Sequence, residues 1–236
     1  MLFDLRGGGR RRTVQIVYIT LAVLMGGGLV LFGIGGAVSG GLVDAITNDS
    51  GSGNTGIETY EKREREAEAA TQRSPQDAAA WAALARARYQ LASAGDNLNQ
   101  STGEFSAAGK RELQAAGDAW QKHLGLAGNK PDDGVANIMV QTYIALGDNA
   151  KAVQAQEIIT EARPRSATFT TLAILAYQAG QTRKGDLARG KAIELADEDQ
   201  KETVKSQIDQ VKAQAAGAAA AQSATPTPTP TPKPDK

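Results

Sequence analysis

The side chains that most often carry out catalysis or hold metal ions are scarce in this chain. It contains no cysteine, which excludes a disulfide framework, a thiolate metal site and a cysteine nucleophile. Its one histidine, His123, has no partners at the spacing expected of a metal site or a general base. We therefore expect His123 to lie on a helix face and to have no chemical role.

Phosphate binding and nucleic-acid binding are not indicated either. The glycine runs at 7–10 and 25–28 lack the lysine of a phosphate-binding loop. The 26 Lys and Arg residues balance 26 Asp and Glu residues, so the chain lacks the basic footprint of a nucleic-acid-binding protein. Mixed-charge stretches such as EKREREAE are typical of solvated helix faces. The sequence predicts a protein that is not an enzyme, needs no cofactor and binds no nucleic acid.

A long uncharged segment predicts a membrane anchor. No charged residue occurs from Thr13 to Val43, and about 20 apolar residues suffice to span a bilayer. The residues before this segment include Arg6, Arg10, Arg11 and Arg12, and positive flanks stay in the cytoplasm. We expect a basic cytoplasmic tail at 1–12, a transmembrane helix at 13–36 and an extracytoplasmic remainder, which makes a single-pass protein of the cytoplasmic membrane.

Two segments outside the predicted span have compositions that do not build a core. The segment 37–56 is rich in Gly, Ser and Asn and predicts a flexible linker. It begins with Ala37, Val38 and Ser39, which leave a cleaved signal peptide as the alternative to an anchor. Residues 217–236 join an Ala-rich stretch to alternating Thr-Pro and predict a disordered tail, either a plain spacer or a carrier of O-linked sugars.

Helical periodicity between these ends predicts an all-α domain at 57–216. The units 133–165 and 166–199 each follow a proline, break at Gly147 or Gly180, and continue with a second helix. An earlier unit at about 75–130 predicts a buried Trp81 with Leu84 on the same helix face, and an inserted loop at 96–110.

Start and stop signals frame these units. Ser74 before Pro75 predicts a helix N-cap, and Asp148 predicts another. A charged helix at 57–73 is expected to cover one end of the domain. A helix at 197–216 is expected to cover the other end with one apolar stripe, formed by Val204, Ile208, Val211 and Ala215.

The pattern resembles the tetratricopeptide repeat, a helix-turn-helix unit of about 34 residues. The matching positions are Trp81, Leu84, Ala85 and Tyr89 in the first unit, Tyr143, Gly147, Ala152 and Pro164 in the second, and Phe169, Leu172, Ala173, Tyr177, Gly180 and Ala192 in the third. The departures are the insertion at 96–110, Ala136 in place of an aromatic residue, and Gly185 in place of an alanine. The resemblance implies an α-solenoid over about 75–199, with a C-terminal capping helix.

Members of this family bind partners in a groove lined by the first helix of each pair. The lining that the resemblance implies here is Ala82, Arg86, Tyr89, Gln90, Asn137, Gln141, Ile144, Thr170, Ile174, Tyr177 and Gln178. The paired Lys and Asn that clamp a C-terminal carboxylate are absent, so amide and tyrosine side chains are expected to hold extended peptides. The alternative is that these residues are solvated helix faces. We also expect Phe105, in the insertion, to contact a partner.

These features predict a membrane-anchored module that binds other proteins or extended peptides outside the cytoplasm. The layout is similar to that of the tetratricopeptide ancillary proteins of the Sec translocon, which implies a chaperone-like or translocon-associated factor for exported proteins. The start MLFDLRGGGRRR and the Ala/Thr-Pro tail resemble those of actinobacterial proteins. The alternative is a scaffold that recruits an enzyme of cell-envelope assembly. Small residues four apart at the end of the span, such as Gly33 and Ala37, offer a second docking element, and the alternative is that glycine is simply common in such helices.

Overall fold

The computed structural model describes residues 55–223, and that part of the chain is mostly helical, as predicted. The predicted tail at 1–12, the span at 13–36, the linker before residue 55 and the Thr-Pro segment after 223 lie outside the described residues. Within residues 55–223, no helix has the length and apolar character needed to cross a bilayer.

Helices follow one another in chain order with a single small hairpin between them. They are α1 (Thr55–Arg73), α2 (Ala78–Ala92), α3 (Ala107–Ala127), α4 (Asp133–Ala145), α5 (Asn149–Ala162), α6 (Ser166–Gln178), α7 (Thr182–Glu194) and α8 (Lys201–Ser223). Between α2 and α3 lie a 3-10 turn at Gly95–Asn97 and the antiparallel strands β1 (Leu98–Asn99) and β2 (Glu104–Phe105).

Neighbouring helices pack in a solenoid-like order. Helix α2 packs on α3, α4 on α5 and α6 on α7, and contacts between α3 and α4 and between α5 and α6 join successive pairs. Helix α1 packs on α2, and α8 packs on α6 and α7. One helix pair cannot bury its own apolar face, so stacking of successive pairs and covering helices at the ends complete the core.

The turns within the second and third pairs end their first helices as predicted. Gly147 and Gly180 have φ angles of 74° and 71°, a left-handed conformation that favours glycine. Asp148 then caps α5, because its carboxylate accepts a hydrogen bond from the Lys151 amide at 3.0 Å. This bond holds the pKa of Asp148 below its ordinary value, as expected for a carboxylate that accepts a backbone N–H.

The core combines many alanines with a few large side chains. Ala85, Ala116, Ala136, Ala152 and Ala173 are fully buried, and such small residues let helices approach closely. The largest fully buried side chains are Trp120, Leu113, Met139, Ile208, Val135, Val140, Val153 and Thr142. The apolar face predicted on α4, which contains Met139 and Tyr143, is confirmed.

The start of α2 corrects two predictions. The N-cap is Asp77, whose carboxylate accepts from the Ala79 amide at 2.9 Å, and not Ser74, because the Asp77 amide closes a turn onto the Ser74 carbonyl. Trp81 is half-buried rather than buried, since its indole nitrogen reaches out to donate to the Pro75 carbonyl at 2.9 Å. The fully buried tryptophan is Trp120 on α3.

The stretch 96–110 is more ordered than the predicted loop. Its hairpin pairs Leu98 with Phe105, and α3 already begins at Ala107, where Ser106 accepts from the Gly109 amide at 3.1 Å. A Cβ at Gly109 would overlap the carbonyl oxygen of Asn97, so glycine is needed for the 3-10 turn at Gly95–Asn97 to lie against α3.

The apolar stripe predicted on helix α8 is confirmed, and the helix extends beyond its predicted end at residue 216. Ile208 is fully buried, and Val204, Val211 and Ala215 pack against the core. The helix continues to Ser223, so the prediction of disorder was wrong for residues 217–223. Alanine has the highest intrinsic helix propensity, and the Ala-rich sequence prolongs α8 even though residues 216–221 are exposed.

Candidate functional site

A stripe of accessible side chains runs along each of the first helices α2, α4 and α6. These stripes recur every three or four residues, which places their members on one side of each helix. We call them together the first-helix face, which consists of Ala83, Arg86, Gln90, Asn137, Gln141, Ile144, Thr171, Ile174 and Gln178. Helices α2 and α4 contact each other directly.

Most of the predicted groove residues belong to this face. Arg86, Gln90, Asn137, Gln141 and Gln178 are exposed or half-exposed on it. The accompanying lining residues Ile144 and Ile174 also lie on it.

Four predicted lining residues lie off this face. Ala82, Thr170 and Tyr177 are buried, with relative exposures of 5%, 8% and 3%. Tyr89 is half-buried and packs against the core. On α6, Ile174 and Gln178 lie on the accessible stripe as expected, and Thr171 takes the place of the buried Thr170. Four of the nine residues of the first-helix face bear a side-chain amide, and none of the nine is a tyrosine.

Tyr177 is held inside the domain by its neighbours on α7. Its hydroxyl donates to Asp186 Oδ1 at 2.7 Å, and its ring lies against the backbone of Gly185. A Cβ at Gly185 would lie 2.6 Å from Tyr177 Cε1, which explains why glycine replaces the alanine expected there. Burial, together with the bond to the Asp186 carboxylate, raises the pKa of the Tyr177 phenol well above its ordinary value.

The tyrosine on α2 also keeps its proton. Burial raises the pKa of the Tyr89 phenol above its ordinary value. Its backbone carbonyl accepts from the Ser93 hydroxyl at 3.1 Å, at the end of α2. Tyr89 therefore acts as an apolar packing element with a neutral hydroxyl.

Arg86 is the only charged side chain among the nine residues of the face, and it has a partner. Its guanidinium lies 3.6 Å from a carboxylate oxygen of Asp132, and the two side chains are 43% and 41% exposed. The other Asp132 oxygen accepts from the Val135 amide at 2.9 Å and caps α4. The face is thus electrically neutral and offers amides, a hydroxyl and two isoleucines for contact.

His123 lies on a face of helix α3, as expected, and that face is buried in the core. It is 4% exposed, and its ring stacks on Trp120 with centroids 5.0 Å apart. Nδ1 lies 2.8 Å from the Ala78 carbonyl, and the Asp132 amide donates to Nε2 at 3.0 Å. The sequence signal that could have predicted this burial is the spacing of three residues between Trp120 and His123, because residues at that spacing share a helix face.

Phe105 is half-buried at the base of the hairpin. It lies opposite Leu98 and lines an open cavity of about 440 Å³ together with Asp96, Asn99, Glu104 and Ser106. Its proposed role as a contact residue stays a prediction.

Charged contacts attach the covering helices at both ends. Arg189 on α7 binds Asp209 on α8 with two hydrogen bonds of 2.6 and 2.8 Å, and Lys212 binds Asp186 at 2.5 Å. At the other end, Arg88 on α2 lies 3.3 Å from Glu64 on α1. Burial raises the pKa of Glu64 even though Arg88 acts to lower it.

Neither a search for metal-binding clusters among the described residues nor comparisons with known proteins indicated another site. Among residues 55–223, no group of His, Asp and Glu side chains is arranged to hold a metal ion. Comparisons of the chain with protein-family models, with curated proteins and with solved structures found no match.

Proposed function

We propose that this protein is a membrane-anchored interaction module that binds extended polypeptide segments on its first-helix face. The observation that carries the proposal is the neutral, amide-rich character of that face on three successive first helices. Amide side chains both donate and accept hydrogen bonds, so they match the N–H and C=O groups of an extended backbone. Ile144 and Ile174 add apolar contact without demanding a particular sequence.

The stacking of the helix pairs supports a tetratricopeptide-type solenoid. Each of the last two pairs ends its first helix at a left-handed glycine, as the repeat pattern requires, and α8 covers the final pair. In such a solenoid, successive first helices lie side by side and combine their stripes into one surface.

Location outside the cytoplasm is part of the proposal and rests on the arginines before the uncharged segment. Residue Ser101 lies exposed at the tip of the hairpin, and the chain has no native cysteine. The variant Ser101→Cys should therefore react with a membrane-impermeant thiol reagent on intact spheroplasts. Protection of that cysteine until lysis would place the helical domain inside the cell.

The neutral face favours a factor that handles many exported polypeptides in an unfolded state, in the manner of a translocon-associated chaperone. A scaffold for one envelope enzyme is the second candidate. Site-specific photo-crosslinking from position 141 separates the two, with position 154 as the matched control, because Gln154 is an exposed glutamine on the second helix α5. The translocon-associated chaperone would be supported if position 141, and not position 154, captured many clients together with translocon subunits.

Capture of one or two defined envelope proteins from position 141 would support the scaffold. Equal capture from positions 141 and 154 would contradict binding on the first-helix face.

A further inference from the structure

The cavity beside the hairpin, which we call the hairpin cavity, combines apolar and acidic side chains. Leu98 and Phe105 lie opposite each other on β1 and β2, and both are half-buried. Asp96 and Glu104 line the same cavity and are exposed to water. Its volume of about 440 Å³ lies in the range usual for sites that hold a small ligand or a side chain. None of these residues belongs to the first-helix face, so an inference about this cavity does not rest on the proposed function.

Hydrogen bonds hold the two acidic residues in place. The Ser106 amide donates to the Asn97 carbonyl at 2.8 Å, which joins the end of β2 to the 3-10 turn that carries Asp96. The side-chain amide of Asn97 donates to the Leu91 carbonyl at 2.9 Å and so ties the same turn to α2. The backbone on both sides of the cavity is therefore ordered before any ligand arrives, and binding loses little conformational entropy.

The charge of the hairpin cavity is not compensated within the described part of the chain. Among residues 55–223, neither Asp96 nor Glu104 forms an ion pair. Lys110, the lysine that follows them in the chain, is exposed on α3 and pairs with neither carboxylate. Two carboxylates beside apolar side chains repel anions such as phosphate groups, and they attract a cation that has an apolar stem.

We propose that the hairpin cavity binds an arginine side chain of a partner polypeptide, with Asp96 and Glu104 holding the guanidinium group and the ring of Phe105 in contact with it. A guanidinium group is planar, donates several hydrogen bonds to carboxylates and stacks on aromatic rings. The methylene stem of an arginine matches the apolar surface of Leu98. Lysine lacks the planar group, so arginine fits this combination of side chains better.

The probe for this site is a short fluorescent peptide with arginines between glycines, and its matched control has citrulline in place of each arginine. Citrulline keeps the shape of arginine but has no charge. Fluorescence anisotropy with the full chain in mild detergent should show binding of the arginine peptide, and added salt should weaken it. The citrulline peptide should bind about tenfold more weakly. Equal binding of the two peptides to the wild-type chain would overturn the proposal.

A pair of double variants locates the binding. Asp96→Asn with Glu104→Gln removes both charges from the cavity and should weaken binding of the arginine peptide about tenfold. Glu161→Gln with Asp199→Asn is the matched control, because it makes the same change of charge at exposed positions on α5 and before α8, and it should bind as the wild type does. Equal losses by both double variants would show that the peptide responds only to overall charge, and the proposal would be wrong.

A further variant tests the aromatic contact. Phe105→Leu keeps an apolar side chain but removes the ring, so it should weaken binding about threefold. Its thermal midpoint should stay close to that of the wild type, since Phe105 is only half-buried. Wild-type binding by Phe105→Leu would contradict the assigned contact with the ring. Failure of the arginine peptide to bind would leave the proposed function standing, because crosslinking from position 141 reports on residues outside this cavity.

Discussion

The first and last helix pairs of the described domain share one plan but differ in the interactions that close them. The junction after the first pair is closed by the stacked rings of Trp120 and His123 and by uncharged hydrogen bonds in the core. The last pair is closed by α8, which adds the partly exposed ion pairs Arg189–Asp209 and Lys212–Asp186 to its apolar stripe around Ile208. Buried aromatic packing contributes stability, whereas exposed ion pairs mainly fix geometry. The comparison predicts that stability is concentrated near the first junction.

The largest effect is expected at Trp120. The variant Trp120→Ala should lower the free energy of unfolding by about 3–5 kcal/mol, because it removes a fully buried ring and the stack on His123. Trp81→Ala is the matched control, and its half-buried ring should cost only about 1–2 kcal/mol. Urea unfolding of both variants measures the difference. A larger loss from Trp81→Ala would contradict the assigned core.

An intermediate effect is expected at Gly185 in the last pair. The variant Gly185→Ala would force a Cβ against the ring of Tyr177 and should cost about 1–3 kcal/mol. Gly190→Ala, on the same helix, is the control, since a Cβ there meets nothing within 4 Å. Gly190→Ala should raise the unfolding free energy by up to about 1 kcal/mol through helix propensity. Equal behaviour of the two variants in thermal melts would show that Tyr177 does not lie over Gly185.

The smallest effect is expected at the ion pairs of α8. Hydrogen bonds from Arg189 hold the pKa of Asp209 below its ordinary value. The native state therefore favours the ionised carboxylate, and the stabilisation is present above about pH 4 and lost as the pH falls through the lowered value.

Asp209→Asn should therefore speed hydrogen exchange in α8, and high salt should speed it in the wild type. Glu202→Gln is the control, because Glu202 pairs with Lys205 on the same helix. If Asp209→Asn and Glu202→Gln speed hydrogen exchange in α8 equally, the Arg189–Asp209 pair does not anchor α8.

Much of the helical plan could be predicted from the sequence because its signals are local. Gly147 and Gly180 end helices through their own backbone conformation, and Asp148 caps a helix through an amide three residues away. The stripe on α8 follows from apolar residues at helical spacing, with Ile208 at its centre.

The features that escaped prediction depend on contacts between distant residues. The bond from His123 to Ala78 joins residues that lie 45 apart in the chain. The burial of Tyr177 depends on the missing Cβ of Gly185 on the next helix. Of the adjacent residues Thr170 and Thr171, the first is buried and the second reaches water, and repeat spacing alone does not decide between neighbouring positions at the edge of a helix face.

The central claim is that the first-helix face binds polypeptide, and a pair of matched double variants tests it most directly. Gln141→Ala with Ile144→Ala removes an amide and an accessible aliphatic side chain from the face on α4. Gln154→Ala with Leu187→Ala removes the same kinds of group from the second helices α5 and α7, where Leu187 is 69% exposed.

Both variants should keep the thermal midpoint of the wild type to within the small changes usual for surface positions. The measurement is partner capture by the full chain in mild detergent. We predict a loss of about tenfold or more for the first variant and wild-type capture for the second. Wild-type capture by the first variant, or an equal loss by both, would contradict the claim.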